Sequence, residues 1–207
     1  KRPEELVAYV RTRLQNFHPH AVRRVEIPKP DGRMRPLGIP TMEDRIIQQC
    51  IKQVLEPICE AKFYKHSYGF RPNRSAHHAV ARAMFLVNIS KHRFVVDVDI
   101  KGFFDNVNHG KLLKQLWTLG IRDKQLLCIL SKMLKAPIQG EGVPAKGVPQ
   151  GGILSPLLSN VVLNELDWWI SSQWGTFPTK TNYAHDLSRY QNLRRTSHMK
   201  EVFIVRY

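Results

Sequence analysis

The stretch Phe94-Val95-Val96-Asp97-Val98-Asp99-Ile100-Lys101-Gly102-Phe103-Phe104-Asp105 constrains the chain most, because it sets three carboxylates among apolar residues in an otherwise basic protein. Aromatic and β-branched residues at 94–96, 98 and 100 predict a buried strand over 94–100, and period-two alternation puts Asp97 and Asp99 on one face of it. Two carboxylates on one face repel each other. Either cations intervene, for which Mg²⁺ is a suitably hard, oxygen-seeking ion, or the acids sit at a strand end in water or against Lys and Arg.

Lys and Arg total 32 against 17 Asp and Glu, a net charge of +15, which favours an extended polyanion such as nucleic acid as partner. With 207 residues and 43% hydrophobic residues, the chain can form one large domain or two small ones around a real core. It has no apolar run of about 18 residues to span a membrane, and its first residues lack the apolar core of a signal peptide, so a soluble, cytosolic protein is expected. Cys50, Cys59 and Cys128 are odd in number and far apart, which argues for buried thiols over a disulfide framework or zinc module. The nine His likewise lack ligand spacing.

In chain order, Leu6, Val7, Val10 and Leu14 predict an amphipathic helix over 3–16 with its arginines facing outward. Residues 22–27 and 33–39 alternate about the turn Lys29-Pro30-Asp31-Gly32 and predict a hairpin carrying Arg23, Arg24, Lys29, Arg33 and Arg35. Those charges either protect a solvated edge or grip phosphate. Thr41-Met42-Glu43-Asp44 has the form of a capping box opening a helix with Ile46, Ile47, Cys50, Ile51, Val54 and Leu55 as its stripe and Pro57 near its end; Arg45 sits at its start. Ser67 to Arg74 is a Gly/Pro-punctuated loop whose Tyr68, Phe70, Arg71 and Arg74 suit either tight packing or stacking with phosphate contact.

Ser75 predicts a cap for a helix to about Ile89, burying Ala79, Val80, Ala83, Met84 and Val87. Two structural helices are expected at 108–119 and 123–134, separated at Gly120, followed by a glycine-rich strand over 140–148. The adjacent Gly151 and Gly152 in Pro149-Gln150-Gly151-Gly152 allow very close backbone approach, and Ser155-Pro156 opens a helix to about Trp174, with Trp168 and Trp169 as packing residues. Neither a G-K-S/T phosphate loop nor a G-x-G-x-x-G turn occurs. Residues 175–200 are polar and basic, periodic only over 187–193, and read as a surface excursion before a last strand at 202–207.

Five of these segments, RRVEIPKPDGRMRPLGIPTMEDRIIQQ, SYGFRPNRSAH, VVDVDIKGFFDNVNH, GVPQGGILSPLLSNVVLNELD and VFIVRY, stand in the order found in group II intron reverse transcriptases of the maturase type, which the chain resembles over nearly its whole length. The resemblance implies an α+β fold, a right-hand polymerase with fingers over 1–90 and a partial palm over 91–207, the palm a mixed or antiparallel sheet with packed helices. It implies RNA-directed DNA polymerase activity by two-metal nucleotidyl transfer, and binding of intron RNA to assist splicing. Asp99 would be the catalytic aspartate, ligating Mg²⁺ together with the backbone carbonyl of Ile100, two ions being needed in the complete enzyme. Phe104 would be the gate against a ribose 2′-hydroxyl. Gln150 would lie under the incoming nucleotide, and Lys29, Arg45 and Arg35 would hold its triphosphate.

Arg23, Arg24, Tyr68, Arg71 and Gly151 would touch template or RNA, with bracing as the alternative for Arg23, Tyr68 and Arg71. Asp97 would be a neighbour of the metal and Asp105 structural. The implied partners are RNA template, intron RNA, DNA primer and dNTP, without a membrane and with a second copy of the chain as a further option; the implied setting is the bacterial cytoplasm, with the intron ribonucleoprotein. In the family the last strand reads YADD, whose aspartates complete the metal site; these residues reach its tyrosine, Tyr207, so a chain of this extent is expected to be inactive alone. The alternatives are a non-enzymatic intron-RNA-binding module and a reverse transcriptase of a retron or diversity-generating element.

Overall fold

A computed structural model describes residues 2–28, 32 and 34–207, except the side chain of Arg35. Its elements are α1 (Pro3–Gln15), β1 (Arg23–Pro28), β2 (Met34–Ile39), α2 (Met42–Glu60), α3 (Ala76–Met84), α4 (His109–Thr118), α5 (Lys124–Leu134), α6 (Ser155–Gln173) and α7 (Asp186–Thr196). Among the described residues β1 and β2 make a two-stranded antiparallel sheet, so the fold is a mixture of helices with one small sheet. No described helix is long and apolar enough to cross a membrane. The chain divides into two compact units, Lys1–Lys62 with Asp97–Val162 and Phe63–Val96 with Leu163–Tyr207.

In the first unit the hairpin forms as its alternation predicts, Arg23 opposite Ile39 and Val25 opposite Leu37. The core gathers Phe17, Ile47, Leu55, Leu112, Leu116 and Leu130, all essentially inaccessible. Each such side chain contributes about 1.5–3 kcal/mol of burial. Asn108 and Asp123 cap α4 and α5 through their side-chain oxygens.

Helix α2 differs from its expected pattern in an informative way. The Thr41 hydroxyl accepts the Asp44 amide at 3.3 Å, which is half a capping box. The Asp44 carboxylate instead accepts from Arg13 (3.2 Å) and from the His20 amide (2.8 Å). Arg13 therefore turns inward, contrary to an outward-facing α1, while Arg11 stays exposed. The buried stripe of α2 is Asp44, Ile47, Gln48, Ile51, Leu55 and Cys59; Val54, expected inside, is 60% exposed. The helix also passes through Pro57 to Glu60.

Further expectations are corrected. Residues 94–100 form no strand, and Phe94 is 93% exposed, because none of the described residues supplies the neighbouring backbone that a ladder requires. Residues 140–148 form a turn bridged at Gly142 to Ile138, and 202–207 carry a single bridge, from Arg206 to Ser67, so in both the backbone bonds to neighbours are too few to make a strand. The predicted helix to Ile89 widens into a π-turn at Phe85–Ile89, and Val80, Met84 and Val87 are exposed. The Ser75 side chain makes no capping bond to the backbone of α3. Residues expected to be an irregular excursion contain α7, whose Leu193 is buried. Trp169 and Cys128 are exposed, against the expectation of packing and burial.

In the second unit, Trp174 stacks on Tyr190 at 6.1 Å, and Tyr190 meets Phe203 edge-on at 5.6 Å. Beside this aromatic core Arg206 grips the fully buried Asp167 of α6.

Candidate active site

Within the first unit, two segments remote in sequence are fastened side by side. The Gly147 amide donates to the Val107 carbonyl (2.7 Å) and the Val148 amide to the Phe104 carbonyl (2.8 Å). Buried His109 reinforces this junction: its Nε2–H donates to the Gly147 carbonyl at 2.7 Å, which places the proton on Nε2. Gly147 has φ +95°, and a Cβ there would lie 3.1 Å from the Asp105 carbonyl oxygen, so glycine permits the approach.

The Pro149–Ile153 loop continues from that junction. Gln150 Nε2 donates to Asp105 Oδ1 at 3.4 Å, bringing the glutamine beside the short 3₁₀ turn Phe104–Asn106. Its own carbonyl accepts from the Gly38 amide of β2 at 2.8 Å. Gly151 (φ +113°) packs so tightly on that strand that a Cβ would stand 2.9 Å from the Gly38 oxygen. Ser155 Oγ donates to the Pro149 carbonyl (2.7 Å), and the Ile153 amide donates to Gln48 Oε1 (2.9 Å).

A cleft of about 370 Å³ opens here, with Arg24, Gly38, Asp105, Glu141, Lys146 and Gln150 among its lining residues. Arg24 is ion-paired with Glu141 at 2.6 Å, and Lys146 donates to Asn106 Oδ1 at 2.7 Å. Apolar side chains such as Met133, Leu134 and Ile138 line the same cleft, which suits a ligand with both apolar and polar parts.

The residues singled out from sequence fall into distinct settings. Gln150, Gly151, Phe104 and Asp105 are gathered at the loop junction, with Phe104 half-buried edge-on to Phe103. Arg45 is half-buried in the first turn of α2 and Arg23 is exposed on β1. Asp97, Asp99 and Ile100 are exposed on the irregular 94–100 segment, of which Asp97 onward belongs to this unit. Lys29 and the Arg35 side chain lie outside the described residues.

Tyr68 and Arg71 belong to the second unit and are buried there. Arg71 Nη1 donates to the carbonyls of Tyr64 (2.7 Å) and Ser67 (2.9 Å), and the Tyr68 hydroxyl pairs with His66 Nδ1 at 3.0 Å. These bonds hold the loop in place within the second unit. His66 is held neutral there, its pKa lowered to about 4 by burial and by Arg82, Lys65 and Arg74.

Gln48, His109 and Lys146 join the site in the structure without being singled out by the sequence. For Gln48 a signal existed, since it sits between Ile47 and Ile51 in an otherwise apolar stripe. For His109 and Lys146 there was none, because their partners are distant in sequence.

Among the described residues no group of three or more His, Cys, Asp or Glu is arranged to hold a metal ion. Asp99 and the Ile100 carbonyl are hard oxygen donors of the kind Mg²⁺ prefers, yet one carboxylate and one carbonyl do not hold two cations. The described residues therefore do not make a two-ion centre.

Residues 27–207 match the reverse transcriptase (RNA-dependent DNA polymerase) family. The chain belongs to that family. It is 40% identical over 165 residues to Protein YkfC of Escherichia coli, covering 77% of this chain and 43% of that protein. It is 42% identical over 158 residues to the group II intron-encoded protein LtrA of Lactococcus lactis, covering 74% of this chain and 26% of LtrA. To the nuclear intron maturase 2 of Arabidopsis thaliana it is 28% identical over 185 residues, covering 68% of the chain and 25% of that protein. The chain thus spans less than half the length of these relatives, of which LtrA is named a group II intron-encoded protein and the Arabidopsis protein an intron maturase.

Proposed function

We propose that the protein polymerises DNA on an RNA template and binds the group II intron RNA that encodes it, assisting its splicing. The observation that carries this reading is the junction of the Phe104–Asn106 turn with the Pro149–Ile153 loop, because it joins Gln150 to Asp105, next to Phe104 in sequence, and ties the same loop to β2 through the Gly38 amide. Membership of the reverse transcriptase family and likeness to intron-encoded proteins support the same reading. In this proposal residues 1–90 act as fingers and 91–207 as part of the palm. The incoming dNTP lies over Gln150, Phe104 excludes a 2′-hydroxyl, and Arg45, Lys29 and Arg35 attract the triphosphate. Arg23 and Gly151 face the template, and Arg24 does so once released from Glu141. Asp99 contributes to a Mg²⁺ site that the described residues alone do not complete.

The partners would be RNA template, intron RNA, DNA primer and dNTP, met in the cytoplasm of a bacterial cell. RNA-templated primer extension by the protein tests the proposal. Asp99→Asn is expected to abolish extension while leaving the melting temperature unchanged, since the side chain is exposed. Absence of extension by the unmodified protein overturns the polymerase reading, and wild-type rates from the variant overturn the role of Asp99.

A further inference from the structure

We propose that Gln48 is a positioning residue for nucleotide binding: its buried side chain fastens the Pro149–Ile153 loop, and with it Gln150, to the helix that carries Arg45. The proposal rests on the functional reading above, because Arg45 and Gln150 are the nucleotide contacts it connects.

Gln48 is 7% exposed, within a stripe where an apolar residue would pack with no polar atom to satisfy. Its Oε1 accepts the Ile153 amide at 2.9 Å across 105 residues of sequence. A buried acceptor of this kind is expensive to leave unmet, so the bond selects one loop position over its neighbours. The loop needs such selection. Gly151 and Gly152 adjoin each other, and glycine loses more backbone freedom on ordering than any other residue.

The other bonds hold different points. The Gly38 amide takes the Gln150 carbonyl and Ser155 Oγ takes the Pro149 carbonyl, both at the start of the loop. Gln48 holds its end, and it does so from α2, one helical turn beyond Arg45. A shift of the Ile153 amide would therefore change where Gln150 stands relative to Arg45, without removing either side chain. This predicts an effect on nucleotide affinity separate from the folding of the core.

The test uses Gln48→Met, similar in length but lacking the acceptor, and Gln48→Glu, which keeps it. In the 207-residue chain, amide hydrogen exchange at Ile153 should quicken about tenfold in Gln48→Met, the loss of one net hydrogen bond. In primer extension the KM for dNTP should rise about five- to tenfold, with kcat and RNA affinity within about twofold. Gln48→Glu should recover both.

Unchanged Ile153 exchange, or a lowered melting temperature with unchanged KM, overturns the proposal and leaves Gln48 a packing residue. Should Gln48→Met fail to fold, exchange in the unmodified chain decides the fastening, and an unprotected Ile153 amide overturns it. A wild-type protein that does not polymerise overturns the functional reading together with the nucleotide role of Gln48, whereas the exchange data still decide the fastening.

Discussion

Arg206 donates from Nε and Nη2 to both carboxylate oxygens of Asp167, at 2.8 to 3.0 Å, while its backbone is tied to the segment His66–Tyr68. Asp167 is fully buried, so its charge has no recourse to water. Asp167→Ala is expected to cost about 3–5 kcal/mol, because it leaves a guanidinium uncompensated in the interior. Arg206→Lys should recover only part of the stability, since a point charge cannot reproduce the two-pronged contact. Replacing both residues, as Asp167→Leu with Arg206→Met, should bring stability back toward that of the unmodified chain. Urea unfolding of the three variants checks this; an Asp167→Ala cost under about 1 kcal/mol would show the pair to be incidental.

Gly151→Ala should displace the loop that carries Gln150. The backbone at φ +113° and the 2.9 Å approach to the Gly38 oxygen leave no room for a methyl group. A loss of about 1–3 kcal/mol is expected from the strain. Gly120→Ala provides a comparison, because φ there is +104° yet no atom lies within 4 Å. Thermal melting should therefore fall further for Gly151→Ala, and equal losses would locate the whole effect in backbone conformation.

Acid should weaken the second unit before the chain's ordinary carboxylates titrate. His66 has its pKa lowered from 6.5 to about 4 by burial, with Arg82, Lys65 and Arg74 adding to the shift. The unfolded chain therefore takes up a proton near pH 6.5 that the folded chain refuses, and stability falls as pH drops from about 6.5 to about 4. Glu201 acts in the same direction further down: its hydrogen bond with Arg194 holds the carboxyl below its usual range, so its contribution is lost as pH falls through that lowered pKa. His66→Asn should flatten the melting temperature against pH between about 6.5 and 4.5, measured by near-ultraviolet circular dichroism. A slope identical to that of the unmodified chain would remove His66 as its source.

The family was legible in order and spacing alone, since the acidic stretch, the PQGG turn and the hairpin are each contiguous in sequence. Helices α4 and α5 were equally legible, because apolar periodicity and the capping oxygens of Asn108 and Asp123 act within a few residues. The stretch 94–100 has the composition of a strand that the structure does not form, for the complementary reason. Its composition favours extension, but a strand exists only through backbone bonds to a neighbour, and the described residues supply none. Arg71 was equally ambiguous in sequence: only packing shows its guanidinium spent on the carbonyls of Tyr64 and Ser67.

By itself, then, the sequence determined the reverse transcriptase family, the basic hairpin and the capped helices, all of which follow from interactions among near neighbours along the chain. Tertiary structure alone decided that Asp105 meets Gln150 across 45 residues, that Gln48 meets Ile153 across 105, and that the Asp44 carboxylate meets Arg13. Each of these is a polar group satisfied by a distant partner. Local pattern cannot specify such a partner, because burial creates the demand for it and the fold determines which group can answer.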